Sequence, residues 1–241
     1  MCGRFVSSNP PDQIAKYFDA ARPETLLPAS WNVAPTNDIY AVVEHADGTR
    51  HVDVFHWGLV PVWAKDMKIG SKMINARSEG LATKPAYKAA FKRKRCLVPM
   101  DGFYEWQATP GLVGPKGKPA KQPMYIHRLD GEPLAVAGLW ESWRDPNNPD
   151  AGRQYSCTVI TTSANATMAP VHDRMPVILP PTAWSTWLDH TNDNLEQLGG
   201  LLVPAPAGLL TMHPVSTAVN RVREKGPELI APIEASPSGL F

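Results

Sequence analysis

Apolar and polar residues follow two rhythms along this chain. In PDQIAKYFDA (11–20), Ile14, Tyr17 and Phe18 recur on one side, which predicts a short amphipathic helix. TKPAYKAAFKRKR (83–95) predicts a second, with Thr83 as N-cap and Pro85 in its first turn. Most other segments read as strands. VDVFHWGLVPVW (52–63) is strand-like and ends at Pro61, and CLVPMDGFYEWQ (96–107) leads into a Gly/Pro/Lys loop over 108–122. PMYIHRL and PLAVAGLWESW flank Asp130–Gly131, a hairpin signal, and YSCTVITTSAN (155–165) and MPVILP (175–180) are further apolar runs. Two helices, 181–189 and 194–202, precede a proline-rich tail.

Helices interspersed among mainly hairpin-linked strands predict an α+β fold, a mainly antiparallel, curved or barrel-like sheet with peripheral helices. Prolines and glycines are scattered, marking turns and not a linker. One domain over 1–241 is expected, with its core over about 2–230 and a short C-terminal tail. Regular βαβ alternation and a glycine-rich phosphate loop are both missing, which argues against a nucleotide-binding fold.

Composition narrows the picture further. With 241 residues and 43% hydrophobic content, the chain can bury a substantial core. No apolar run approaches the ~20 residues of a membrane span, and Asn9, Pro10, Pro11 and Asp12 interrupt any signal-peptide core, so a cytoplasmic location is expected. A net charge of +1 excludes a polycation, so nucleic-acid affinity requires a local patch. Cys2, Cys96 and Cys157 are odd in number and lack CxxC spacing, which predicts reduced thiols and neither a disulfide framework nor a metal site. No cofactor is expected. Cys96 and Cys157 are expected in the core.

Five islands carry candidate chemistry: MCGRF (1–5), WGLVPVW (57–63), INARSE (74–79), DGFYEW (101–106) and VHDRMP (171–176). Each key residue also has an ordinary reading. Asn75 can satisfy backbone groups in a turn, and Arg77 and Glu79 can form a surface ion pair. Glu105 alternates with Tyr104 and Trp106 and can face solvent, while His172 beside Asp173 can be a hydrogen-bonded loop histidine. Together they form a toolkit. Once Met1 is removed, Cys2 carries an α-amine and a thiol on adjacent carbons, which can capture an aldehyde and close a ring. The reference pKa values, ~7.7–8.0 for the amine and ~8.5 for the thiol, leave part of each reactive at neutral pH.

MCGRF, NVAP (32–35), WGLVPVW, INARSE, DGFYEW, VHDRMP and HPVS (213–216), in this order, resemble the motif set of the SRAP family, SOS response-associated peptidase-like proteins that shield abasic sites in single-stranded DNA. GPELI (226–230) also fits, so the resemblance covers nearly the whole chain and implies a single SRAP domain. It implies that Cys2 attacks the ring-opened aldehyde of an abasic sugar and closes a thiazolidine, a covalent DNA–protein crosslink. Asn75 then positions the Cys2 end and the sugar, Glu105 acts as acid and base in ring opening and reversal, and His172 assists proton transfer. Arg4, Arg77 and Arg174 fall on phosphate-contact positions, and Pro35, Trp63 and Trp106 on DNA-binding ones. Lys84 stands near a family arginine, and lysine weakens bidentate recognition there. The implied partner is single-stranded DNA with abasic sites, including junctions with duplex, bound by a monomer that is nucleoid-associated when acting on DNA. Auto-processing peptidase and lyase-type activities also belong to the implied set.

Lys84, Lys88, Lys92 and Arg95 recur near helical spacing with Arg93 and Lys94 between them, which reads first as a solvated helix face. The loop lysines Lys116, Lys118 and Lys121 carry no assigned chemistry. Two rival functions remain open: a cysteine peptidase using Cys2 and His172, and a non-covalent single-stranded DNA-binding module.

Overall fold

In a computed structural model the described residues are 2–113, 117 and 119–233, with only the backbone of 110–112. Lys116, Lys118 and the end of the proline-rich tail lie outside them. Five strands close on themselves: β3 (Asp38–Glu44), β4 (Arg50–Trp57), β6 (Arg95–Met100), β9 (Leu134–Arg144) and β10 (Arg153–Ser163). The ring runs β10–β4–β3–β6–β9 and returns to β10, with β10–β4 parallel and the other pairings antiparallel. A second sheet has the order β12 (Leu210–Pro214), β8 (Pro119–Arg128), β7 (Gly102–Val113), β1 (Phe5–Ser7), β2 (Ser30–Val33). The α+β class and the barrel-like sheet agree with the expectation.

Strand β3 shows why the apolar runs lack a polar face. Ile39, Ala41 and Val43 point into the cluster that holds Cys2, Cys96 and Cys157. Tyr40 and Val42 point outward and are covered by helices. Those helices are α1 (Pro11–Phe18), α2 (Pro85–Arg93), α3 (Pro181–Leu188) and α4 (Leu195–Gly200). The first three begin with proline, whose fixed φ and missing N–H suit a first turn. Phe18 of α1 packs on Trp184 of α3 with ring centroids 4.7 Å apart.

Strand β10 changes partners halfway along, and this places the site. Up to Val159 it pairs with β9, and Ser156 and Cys157 pair with β4. Beyond that point short strands replace them. β5 (Asn75–Arg77) sets Asn75 opposite Val159 and Arg77 opposite Thr161, while β11 (Arg174–Pro176) sets Arg174 opposite Ser163. Three candidate residues are thereby delivered to one end of one strand.

Several local expectations give way. The N-cap of α2 is Lys84, not Thr83, because Pro85 drives its predecessor into the extended conformation that a cap adopts. Asp130–Gly131 does not close a hairpin. Both edges of β8 are already taken, by β7 and β12, so the turn carries the chain across to β9 in the barrel. The loop over 108–122 is mostly strand: β7 runs to Val113, and Lys121 of β8 pairs with Ala108 of β7. β4 ends at Trp57, ahead of Pro61.

Arg95 is no part of a solvated face. Only 2% exposed, it aims its guanidinium at the helix ends, donating to the carbonyls of Trp187 (2.6 Å), Phe91 (2.8 Å), Lys92 (2.6 Å), Asn192 (3.1 Å) and Asp189. It gathers the ends of α2 and α3, where carbonyls lack intrahelical partners. Burial holds its pKa down to about 10, which leaves it charged at neutral pH. Arg95→Met should leave these carbonyls unpaired and cost about 3 kcal/mol or more, read as a lower urea midpoint. An unchanged midpoint would show that Arg95 fastens nothing.

Candidate functional site

The N-terminal segment is drawn into the protein by β1. Phe5 pairs with Val33 of β2 on one side and Phe103 of β7 on the other, and the Tyr104 N–H donates to the Arg4 carbonyl at 2.9 Å. Cys2, just upstream, is 1% exposed and packs among barrel side chains. The Asn75 amide donates from Nδ2 to the Cys2 carbonyl at 2.7 Å, while its buried Oδ1 has no hydrogen-bond partner among the described residues. Glu105 is 4% exposed and near enough to act electrostatically on the Cys2 thiol. Cys2, Asn75 and Glu105 therefore converge, though they come from three islands of sequence.

The thiol is not the partly ionised group expected from its reference pKa. Burial, the largest cause, and the Glu105 charge push it well up, against smaller opposing effects of the N-terminal amine charge and the Arg4 backbone N–H. Glu105 itself does not face solvent, because both faces of β7 are covered. One lies on the Cys2 side; the other carries Tyr104 against Tyr125, Val215 and Val219.

His172 is 28% exposed as a side chain and held from two sides. Its Nδ1 accepts the Arg174 N–H at 2.9 Å and lies 2.8 Å from Asp173 Oδ1. With the lone pair of Nδ1 turned to the amide, the neutral ring carries its proton on Nε2; protonated on Nδ1, the ring pairs with Asp173. Gln107, two residues beyond Glu105, donates to the Pro170 carbonyl at 3.3 Å and so ties the His172 loop to β7.

The arginines expected at phosphate are in three different states. Arg77 is exposed. Arg174 is paired with Glu79, with Nη1–Oε1 at 2.6 Å and Nη2–Oε2 at 3.0 Å, so the partner of Glu79 is Arg174 and not Arg77. Arg4 faces inward, donating to Asn32 Oδ1 and the Val219 carbonyl, both at 2.8 Å, with its guanidinium 5.9 Å from the Trp106 ring centroid. Trp106 in turn donates to Asn220 Oδ1 at 2.7 Å. Arg4 and Trp106 thus fasten the C-terminal segment in this structure. Fully buried Asn32 completes the fastening, giving its amide hydrogens to the carbonyls of Val219, Arg221 and Glu224. The sequence drew no attention to Asn32 or Gln107, although Asn32 stands inside the motif NVAP, and it offered Glu79 only as a partner for Arg77.

The remaining DNA-binding candidates lie outward. Gly58 enters a tight crossing at φ 138°, where a Cβ would stand 2.5 Å from the Gly70 carbonyl oxygen. The segment after it, pinned by Val60 N–H to Ser156 Oγ at 2.8 Å, presents Val62 and Trp63 at 60% and 58% exposure. Pro35 is half-buried and Lys84 exposed. Among the described residues, Glu44, Asp189 and His190 bring potential metal-ligating atoms within 4.8 Å of one another. Arg50 and Arg95 already act on the Glu44 carboxylate, and Asp189 Oδ1 is bound by Thr191, which weakens that group as a cation site.

Comparisons with known proteins bear on the family and the fold. A family model described as SOS response associated peptidase (SRAP) matches residues 1–222. The abasic site processing protein YoqW of Bacillus subtilis is 40% identical over 232 residues, covering 95% of this chain and 99% of that one. The abasic site processing protein HMCES of Xenopus tropicalis is 33% identical, covering 97% and 78%. A crystal structure of a Bacteroides thetaiotaomicron protein superposes with a TM-score of 0.82 at 20% identity, over 96% of this chain and all of that one, and speaks to the fold alone.

With Met1 retained, Cys2, Cys96 and Cys157 are all at most 1% exposed and their thiols are shifted upward. At pH 8 the native protein should titrate no thiol rapidly with a disulfide reagent and three after denaturation. One fast native thiol would contradict this burial.

Proposed function

This chain belongs to the SRAP family, and from that membership and the convergence at Cys2 we propose that it processes abasic sites in single-stranded DNA by a covalent capture at its N-terminus. The observation that carries the reading is the 2.7 Å bond from Asn75 to the Cys2 carbonyl with Glu105 set against the thiol. A carbonyl clamp holds the residue by its C-terminal side and engages neither the amine nor the thiol.

In the proposed sequence, Met1 is removed and the neutral α-amine of Cys2 adds to the aldehyde of the opened sugar. The carbinolamine loses water to give an imine, with His172 or Glu105 delivering the proton to the departing oxygen. Cys2 Sγ then adds to the imine carbon, its proton passes through Glu105 to nitrogen, and a thiazolidine closes. One water is released overall. Intramolecular closure in a well-oriented pair reaches effective molarities of order 10⁵–10⁸ M, which favours the ring over a hydrolysable imine. Exposed Arg77 and Trp63 suit a backbone phosphate and a stacked base, a sequence-tolerant combination in which the stacking alone is worth about 1–3 kcal/mol per base. The raised thiol pKa weighs against the peptidase alternative, whose first step needs a thiolate.

Intact mass spectrometry after incubation with abasic single-stranded DNA is the direct test. The untagged protein should lose Met1 and gain the mass of the strand less one water. Cys2→Ala should form only a borohydride-trappable imine, and an N-terminal extension that stays attached should abolish both products. A retained tag with undiminished crosslinking would sink the mechanism.

Glu105→Gln keeps the shape of the side chain and removes its titratable proton. Crosslinking and its reversal should each slow by about 100-fold, the usual size of a general acid–base contribution. Unchanged rates across pH 5–9 would remove Glu105 from the chemistry.

A further inference from the structure

Arg174 stands where the family resemblance expects a phosphate contact, yet its fork is full. Nη1 and Nη2 each hold one oxygen of Glu79, and Nη2 also donates to the Thr161 carbonyl at 2.7 Å. The two partners differ in freedom: the Arg174 side chain is 13% exposed and that of Glu79 61%. Arg174 Nε is buried with no hydrogen-bond partner among the described residues. Arg77 stands opposite Thr161 in the strand register, exposed and without an ion pair among the described residues.

A two-point contact from a planar carboxylate onto a guanidinium has the same form as a two-point contact from a phosphodiester. We propose that Glu79 is an internal stand-in for backbone phosphate, filling the Arg174 fork in the free protein and yielding it to the DNA strand. This rests on the function proposed above and adds a residue that sets affinity and selectivity at the same site.

The asymmetry of burial supports an exchange. Glu79 regains hydration when it swings outward, whereas Arg174 is held by Thr161 and its buried stem. A half-buried guanidinium without any partner would be costly, so the carboxylate also stabilises the unliganded site. The fork holds the Glu79 carboxyl down to about 2, so it leaves as an anion and protonation plays no part in the exchange. Apparent affinity falls by the fraction of molecules in the competent state. A lone phosphate ion cannot make up that loss. A strand that also engages Arg77 and stacks on Trp63 can, which selects polymer over free phosphate.

The test is a double-mutant cycle on wild type, Glu79→Gln, Arg174→Gln and the double variant. Binding of an undamaged single-stranded oligonucleotide is read by fluorescence anisotropy at fixed salt. Glu79→Gln should bind about five- to tenfold tighter than wild type, and the gain should vanish when Arg174 is already glutamine. Equal or weaker binding by Glu79→Gln would make Glu79 an orienting residue and overturn the proposal. A gain that persists in the Arg174→Gln background would reduce it to the loss of one surface charge, and also overturn it. If Glu79→Gln does not fold, Glu79→Asp weakens the same fork by one methylene and should show a smaller gain of the same sign. A DNA-independent readout separates this proposal from the function it rests on. Titration of inorganic phosphate, followed at the Arg174 Nε–Hε NMR signal, should shift that signal in Glu79→Gln and not in wild type. No response in either protein, or the same response in both, overturns the stand-in role. Failure of every variant to bind the strand, with the phosphate response intact, overturns the DNA reading instead.

Discussion

Capture of the chain's first residues between two strands is the constraint on which the site depends. Termini are ordinarily the loosest part of a domain. Here β1 is only three residues long but is paired on both edges, and Phe5 sets its ring edge-on to Trp57 with centroids 5.0 Å apart. Cys2 is therefore a short lever away from a fixed point, and the bond from Asn75 removes much of its remaining freedom. Asn75 is itself fixed because β5 pairs with β10 where β10 has parted from β4. A reaction that must align an amine, a thiol and a sugar carbon benefits from ordering already done by folding.

The other end of the chain takes part in the same ordering. Arg4, two residues after Cys2, is tied through Asn32 to carbonyls at 219, 221 and 224, and Lys225 reaches back to the Asn32 carbonyl. The family match ends at residue 222, inside this network. Residues just beyond it thus belong to the structural unit that positions the N-terminus. The arrangement places two cations close together, and the Lys225 pKa is lowered by burial and by the Arg4 charge. Carbonyl oxygens, and not carboxylates, absorb that charge in the contacts seen here, which leaves this part of the protein cationic.

How much of this was legible in the sequence follows from what kind of interaction each feature uses. Helices α1 to α4 were visible because propensity, proline position and apolar spacing agree locally. The three-residue strands β5 and β11 were not, because their pairing is supplied by β10, about eighty residues away from β5. The Asp130–Gly131 turn has hairpin chemistry, but occupancy of both edges of β8 decides the outcome, and no local signal reports that. Arg95 read as surface because a charge run on a helix ordinarily is. Its burial depends on five carbonyls, three of them contributed by Trp187, Asp189 and Asn192. The candidate site residues were picked out by the ordered motifs. Their individual states, with Arg77 exposed, Arg174 occupied and Arg4 internal, needed the three-dimensional contacts.

A thiol kept protonated suits one of the two cysteine chemistries better than the other. A peptidase spends its thiolate in the first step, so evolution of that activity favours a lowered thiol pKa beside a cationic histidine. At Cys2 both the burial and the Glu105 charge act in the opposite direction. In amine-first capture the thiol is idle until an imine carbon lies beside it, and that intermediate, once protonated, brings its own positive charge. The charge favours a sulfur anion at the moment of closure and offsets the Glu105 charge that suppressed it before. Protonation and burial in the resting state also slow oxidation, since oxidants attack exposed thiolate. Under the proposed mechanism, the features that make Cys2 a poor nucleophile at rest preserve it for a reaction in which the substrate supplies the activation.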